Sequence, residues 1–309
     1  MALVRTTTLL VLAATLTVLG CSRPDRGTEE SSLQHGGLKR TFAYHIPAGA
    51  PAEGSRMLVI SLHGRGGTGL QQEDLTALSA LSDERGFIAV YPDGVDKSWA
   101  DGRGTSSAEM QGVDDIGFLS ALIDLFVGEH GVDPKRVYLS GHSNGAMMTS
   151  RAGCELASKI AAIGPVAGSI PEDVATSCKP ARPVSVMAFH GTDDEFAPYA
   201  GGEVDKGSGG AILGAKEALA WWAENAGCNG DVTLTEVPDT APDDGTTAER
   251  EDAQGCADGV GVTLFTIVGG GHTWPSSPDD LGESLVGKSS QDVDASALHV
   301  GFFEEHPMP

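Results

Sequence analysis

The chain has no apolar run long enough to cross a bilayer as a permanent helix. Its most hydrophobic stretch, Leu9 to Leu19, is eleven residues long, where a spanning helix needs about 20. Positive charge is scarce: 20 Lys and Arg stand against 43 Asp and Glu, giving a formal net charge of −23. Such a body repels nucleic-acid phosphates and anionic lipid surfaces, so nucleic-acid binding is excluded as a function class. Solubility in a salty medium accounts for the acidity without a specific cationic partner. Cysteine numbers five, and no two stand at zinc-finger spacing, which argues against a structural metal. The acidic stretch 239–259 contains Asp243-Asp244 but lacks the regular ligand spacing of a calcium loop, so a solvated loop is expected there. No internal repeat and no second domain is visible. What remains is a 309-residue chain, 40% hydrophobic, able to bury a full core as one α/β domain.

The N-terminus is read separately. Arg5 supplies a positive start, the apolar run follows, and Val18-Leu19-Gly20-Cys21 closes it. This is the pattern of an export signal rather than an anchor. Val-Leu-Gly-Cys resembles a lipobox, in which the cysteine becomes the lipidated mature N-terminus. Residues 1–20 are therefore expected to be a signal, 21–37 a flexible polar tether, and 38–309 a single folded domain. The other cysteines are Cys154, Cys178, Cys228 and Cys256. An even number in an exported chain implies disulfides, with three pairings possible. The sequential pairing would close short loops, each bridge contributing roughly 3 kcal/mol on the loop-entropy model.

From about residue 56 onward, buried-type apolar runs alternate with helical periods. Strands are expected over 57–62, 87–91, 136–140, 184–189 and 262–268. Helices are expected over 72–84, 116–126, 211–226 and 292–305. This alternation implies a mostly parallel sheet covered on both faces. In such sheets, functional groups gather beyond the carboxyl ends of the strands.

The run Val137-Tyr138-Leu139-Ser140-Gly141-His142-Ser143-Asn144-Gly145 reads as strand, Gly-x-Ser-x-Gly, then helix. That is the context of a nucleophile elbow, where a serine sits on a sharp strand-to-helix turn and flanking glycines let the two elements approach. A serine hydroxyl needs an adjacent imidazole to take its proton. Of nine histidines, only His272 follows a strand through a mobile Gly269-Gly270-Gly271 loop. His63, His142 and His190 are tied to glycine turns and brace the backbone. The orienting acid should follow the strand 184–189, where Asp193 and Asp194 both stand; only one can serve, because successive residues point differently. An oxyanion needs two preorganised N–H donors. The first falls to the backbone of Asn144, and the second to the backbone of Arg65 in His63-Gly64-Arg65-Gly66-Gly67.

These motifs occur in a larger ordered set. Tyr-Pro-Asp-Gly (91–94), Val-Asp-Asp-Ile-Gly-Phe (113–118) and Asp-Pro-x-Arg-Val-Tyr (133–138) precede the elbow. His-Gly-Thr-Asp-Asp (190–194), Pro198-Tyr199-Ala200-Gly201-Gly202 and Gly-Gly-Gly-His-Thr-Trp-Pro (269–275) follow it. The chain resembles the poly(3-hydroxybutyrate) depolymerase and feruloyl esterase group, particularly its lipoprotein esterase branch, over about residues 36–306. The resemblance implies an α/β-hydrolase fold and serine ester hydrolysis without metal or organic cofactor. It implies Asp194 as the acid and His272 as the base. It also implies Trp274 near the cleft, and the pairs Cys154–Cys178 and Cys228–Cys256. Feruloyl or acetyl esters on polysaccharide fragments and short hydroxyalkanoate oligomers are the implied substrates. An acyltransferase using the same triad toward a sugar acceptor is the alternative, and a non-catalytic binding protein on a dead scaffold a third reading.

One segment departs from the pattern. The group often continues Ser-Trp-Asn into a Cys-Cys-Gly segment, whereas here Ser98-Trp99-Ala100 runs into 102–111 without cysteine, leaving substrate choice open. The absence of a polymer-binding module or Ser/Thr-rich linker weakens a claim on insoluble polyester. Oligomeric state is not legible. Lipidation at Cys21 predicts that Cys21→Ser releases the protein from membranes on fractionation; unchanged retention would contradict it.

Overall fold

The structure is a computed structural model, and it describes residues 27–309 apart from 205, 207, 208, 280 and 281. The expected signal 1–20 and the lipidation candidate Cys21 lie outside the described residues. Twelve strands are present among them: β1 Glu29–His35, β2 Leu38–His45, β3 Arg56–Leu62, β4 Ile88–Pro92, β5 Val132–His142, β6 Ala162–Val166, β7 Ser185–Gly191, β8 Gly201–Glu203, β9 Ala211–Leu213, β10 Thr233–Glu236, β11 Thr247–Asp252 and β12 Val262–Val268. Ten form one sheet in the order β1-β2-β4-β3-β5-β6-β7-β12-β11-β10, and β8 pairs with β9 apart from it.

The middle of the sheet is parallel, from β4 through β3, β5, β6 and β7 to β12. These strands are buried nearly throughout, because helices cover both faces and leave no side for polar residues. The two largest hydrophobic clusters among the described residues lie one on each side of the sheet. One holds Leu58, Ile60, Phe118, Leu122, Phe126 and Trp222; the other holds Val59, Tyr91, Tyr138, Phe189, Phe265 and Phe303. A small third one holds Met147, Ala197, Val204 and Ile212. The fold is that of an α/β-hydrolase, with a mostly parallel sheet sandwiched by helices.

The margins differ from expectation. Instead of a tether, residues 29–35 form β1, paired antiparallel to β2 along their whole length. Gly36 and Gly37, at φ 57° and 78°, make the two-residue turn that needs positive φ at both positions. Outer-edge pairing demands no apolar alternation, so this polar, exposed strand carries no hydrophobic signature. The acidic stretch 239–259 is likewise not all loop. Thr247–Asp252 is β11, antiparallel to β10 and β12, while Pro242–Asp244 is a short 3-10 turn. There Asp244 accepts hydrogen bonds from the backbone N–H groups of Thr246 and Gln291. The helix expected over 72–84 is two, Gly69–Thr76 and Leu78–Arg85, separated by Ala77 at φ 51°. Both disulfides follow the sequential pairing, Cys154–Cys178 and Cys228–Cys256.

The C-terminal helix Ala295–Glu305 packs a histidine into the core. His299 is 1% exposed, stacks on Phe303, and donates from Nε2 to the Met187 carbonyl at 3.0 Å. Its Nδ1 is buried without a partner among the described residues, so the ring is neutral, and burial pushes its pKa down to about 4. The unfolded chain takes up this proton at ordinary histidine pKa, before the folded one does. Stability from this residue is therefore intact above pH 7 and falls as pH drops from about 6.5 to 4, by on the order of 3 kcal/mol. His299→Gln keeps a donor but cannot titrate. Urea melts at pH 7 and pH 4 should show the variant losing less stability on acidification than the parent; equal losses would refute the assignment.

Candidate active site

Ser143 sits between β5 and the helix Asn144–Glu155, at φ 58° and ψ −121°. Such a conformation costs a non-glycine residue on the order of 1–3 kcal/mol and persists only where the surroundings over-determine it. The surroundings do so here. A Cβ on Gly141 would collide with the Gly145 carbonyl oxygen, and one on Gly145 with that of Leu62. The two flanking glycines thus let helix, elbow and β3 close to backbone contact, leaving Ser143 half-buried at the sheet's carboxyl edge.

The other two candidates arrive from neighbouring strands. Asp194 lies in the turn after β7 and is 6% exposed, and His272 follows β12 and is also 6% exposed. His272 Nε2 lies 2.8 Å from Ser143 Oγ. His272 Nδ1 lies 2.8 and 3.0 Å from Asp194 Oδ2 and Oδ1. Asp194 Oδ1 also accepts from the backbone N–H groups of Phe196 and Ala197, at 2.9 and 2.8 Å. Burial pushes the Asp194 carboxyl up, but hydrogen bonds and charge from His272, with those amides, outweigh it and hold the group below the usual carboxylate range. A carboxylate at Asp194 fixes the proton on Nδ1, leaving Nε2 to accept from the serine. Asp193 is exposed and engages only local partners, the Thr192 hydroxyl and, through its own amide, the Gly270 carbonyl.

Three further histidines surround this chain of bonds, each neutral. His190 donates from Nε2 to the Ala197 carbonyl at 2.7 Å, pinning the acid's turn, and burial pushes its pKa down. His63 accepts the Gly94 N–H at Nε2 (2.9 Å), so its proton is on Nδ1, donated to the Gly64 carbonyl at 2.7 Å. His142 packs its ring 4.9 Å from that of His272. Burial, then repulsion from His272, pushes the His142 pKa down to about 3, so it adds no competing charge.

The loop 63–67 lies against the elbow: a Cβ on Gly64 would stand 3.3 Å from Ser143 Cβ. Arg65 and Asn144, the two expected oxyanion donors, both border the cleft that contains Ser143. Asn144 is the first residue of its helix, where backbone N–H groups have no intrahelical acceptor and the helix dipole favours negative charge. The cleft measures about 600 Å³, and its lining includes apolar Met147, Phe196 and Val204 and polar Gln71 and Gln72. The Phe196 ring lies 5.0 Å from that of His272.

Trp274 does not line this cleft. It is 1% exposed, its Nε1 donates to Ser296 Oγ at 3.0 Å, and it packs with His299 in the core. The strand-to-loop step after His272 turns it inward, toward the C-terminal helix. In the other direction, residues without a motif border the site. Trp99, Asp101 and Arg103 are buried beside Asn144. Among the described residues, no three His, Cys, Asp or Glu side chains converge as a metal site.

Fold and constellation together define the class: a serine esterase on an α/β-hydrolase scaffold. The chain belongs to the Esterase PHB depolymerase family, whose model matches residues 40–197. It is 28% identical over 288 residues to the putative esterase NocK of Nocardia uniformis subsp. tsuyamanensis, covering 90% of this chain and 83% of that protein. Feruloyl esterase B of Piromyces equi is 34% identical over 244 residues, 75% of this chain and 42% of that one, so the chain spans less than half of that relative. The solved acetyl xylan esterase from Aspergillus awamori shares the fold, with a TM-score of 0.56 at 15% identity over 79% of this chain and 94% of that one.

The environments of the two neighbouring aspartates predict unequal roles. Asp194→Asn should lower kcat by about 10³–10⁴-fold, as expected when the imidazole loses its orienting charge. Asp193→Asn should stay within about twofold in the same ester-hydrolysis assay. Equal effects would contradict the assignment of the acid.

Proposed function

We propose that this protein is an exported, lipid-anchored carboxylic-ester hydrolase whose single catalytic domain works through Ser143, His272 and Asp194. The observation that carries the reading is the unbroken chain of bonds from Ser143 Oγ through His272 to Asp194. Ser143 Oγ attacks the ester carbonyl while His272 Nε2 takes its proton. The tetrahedral oxyanion is held by the backbone N–H groups of Asn144 and Arg65. Each such donor contributes about 3–4 kcal/mol of transition-state stabilisation, to judge from removal of one in other enzymes. His272 then returns the proton to the leaving alcohol, and the acyl group remains on Ser143. Water, deprotonated by the same imidazole, releases the acid. Asp194 stays ionised throughout and stabilises the transient imidazolium.

The proposed substrates are feruloyl or acetyl esters of polysaccharide fragments, or short hydroxyalkanoate oligomers. A cleft of about 600 Å³ lies within the usual range of small-ligand sites and has room for more than an acetyl group. The relatives named above support an ester of this type. Export is supported by the two disulfides, which persist in oxidising compartments.

The test is a screen of aryl, acetyl, feruloyl and hydroxybutyrate esters, run with and without a sugar acceptor. Hydrolysis should dominate at low acceptor concentration, and Ser143→Ala should lose about 10⁶-fold in kcat together with labelling by a fluorophosphonate probe. Dominant transfer would favour the acyltransferase, and equal labelling of Ser143→Ala would remove the nucleophile assignment.

A further inference from the structure

The segment 99–103 is fastened at nearly every residue. The Trp99 N–H donates to Asn144 Oδ1 at 2.8 Å, and Asn144 Nδ2 donates to the Trp99 carbonyl at 3.1 Å. Trp99 Nε1 donates to the His63 carbonyl at 2.9 Å. The Ala100 N–H donates to Asp115 Oδ2, and its carbonyl accepts from Arg151, both at 2.7 Å. Asp101 and Arg103 then form a buried ion pair, Nη2 to Oδ2 at 2.7 Å, with side chains 0% and 1% exposed. The same Oδ2 accepts from Asn144 Nδ2 at 2.5 Å. Arg103 also donates from Nη1 to the Gly209 carbonyl at 2.7 Å.

This arrangement touches both halves of the oxyanion site. Asn144, whose backbone N–H is one donor, has its side chain held by Trp99 and Asp101. The His63 carbonyl, held by the Trp99 indole, belongs to the loop that presents Arg65. We infer that Asp101 is a positioning residue: its carboxylate, neutralised by Arg103, clamps the Asn144 side chain and so sets the Asn144 backbone N–H toward the oxyanion. A lone buried carboxylate would be costly, and the guanidinium both offsets that cost and leaves Oδ2 available as an acceptor. The clamp acts through geometry, and a displacement of about 1 Å can cost about 10²-fold in rate.

The inference rests on the reading of Ser143 and Asn144 given above, so its test separates the two. Asp101→Asn, Asn144→Ala and the double variant are compared by steady-state hydrolysis of 4-nitrophenyl acetate, with active sites counted by fluorophosphonate titration. Each single variant should lower kcat about 10–100-fold per titrated site with KM within about threefold. The double should be no worse than about Asn144→Ala alone, because that substitution already removes the side chain that Asp101 holds. Multiplying losses, or a lowered melting temperature with kcat per site unchanged, would overturn the clamp while the nucleophile stands. Failure of the parent to titrate at Ser143 would instead overturn the underlying reading. If Asp101→Asn leaves Arg103 unpaired and does not fold, Asp101→Asn/Arg103→Gln supplies a neutral pair. The Asn144→Ala comparison is then made in that background, where it should cost less than in the parent because only the Trp99 contacts remain to be lost; an undiminished loss there would overturn the clamp.

Discussion

The helix after strand β5 meets β5 and β3 so closely that no side chain fits at Gly141 or Gly145, and Ser143 between them is held in a backbone conformation that L-residues avoid. The stability of the surrounding sheet maintains this strain. β5 is flanked on both sides by parallel partners, β3 and β6, and the helix buries ten of its residues, Asn144 to Ser150, Ala152, Gly153 and Cys154. Because the scaffold cannot relax, the hydroxyl stands at the sheet's carboxyl edge with a helix N-terminus directly behind it. Every other component of the site is placed relative to that point: Asp194 after β7, His272 after β12, and the glycine loop after β3.

Electrostatics around the elbow favour one protonation pattern. Asp194 remains ionised because the donors that converge on it outweigh the effect of its burial. The histidines packed nearby, His63, His142 and His190, are all pushed toward neutrality by burial. In the proposed mechanism the positive charge generated during turnover is therefore on His272, opposite its carboxylate. A second imidazolium beside it would raise the cost of forming the first, which like-charge repulsion makes appreciable in a low-dielectric setting.

The central sheet was legible because burial on both faces leaves an uninterrupted apolar run, as in Met57 to Leu62 and Val262 to Val268. The margins were not: β1, β10 and β11 are polar strands whose pairing is set by neighbours rather than by their own pattern. The Gly36-Gly37 turn was the one available signal for β1. Ser143 and His272 could be read from their positions after strands, and the choice of Asp194 over Asp193 came from resemblance; the structure brings Asp194, and not Asp193, to the imidazole. Trp274 misled because an aromatic in a motif beside the base can face either way, and here it completes the core. Asp101 and Arg103 were illegible for the opposite reason. Charges two residues apart in a glycine-bearing loop look solvated, and only the tertiary contact with Asn144 shows that they are buried.

The central claim is that Ser143 carries the acyl group between two half-reactions. Rapid acid quenching during turnover of a 4-nitrophenyl ester, followed by intact-mass measurement and peptide mapping, tests it most directly. The account predicts a transient adduct of the acyl group's mass on the peptide containing Ser143, decaying at the rate of acid release. An adduct on any other residue, or turnover with no adduct under conditions where deacylation limits the rate, would contradict it.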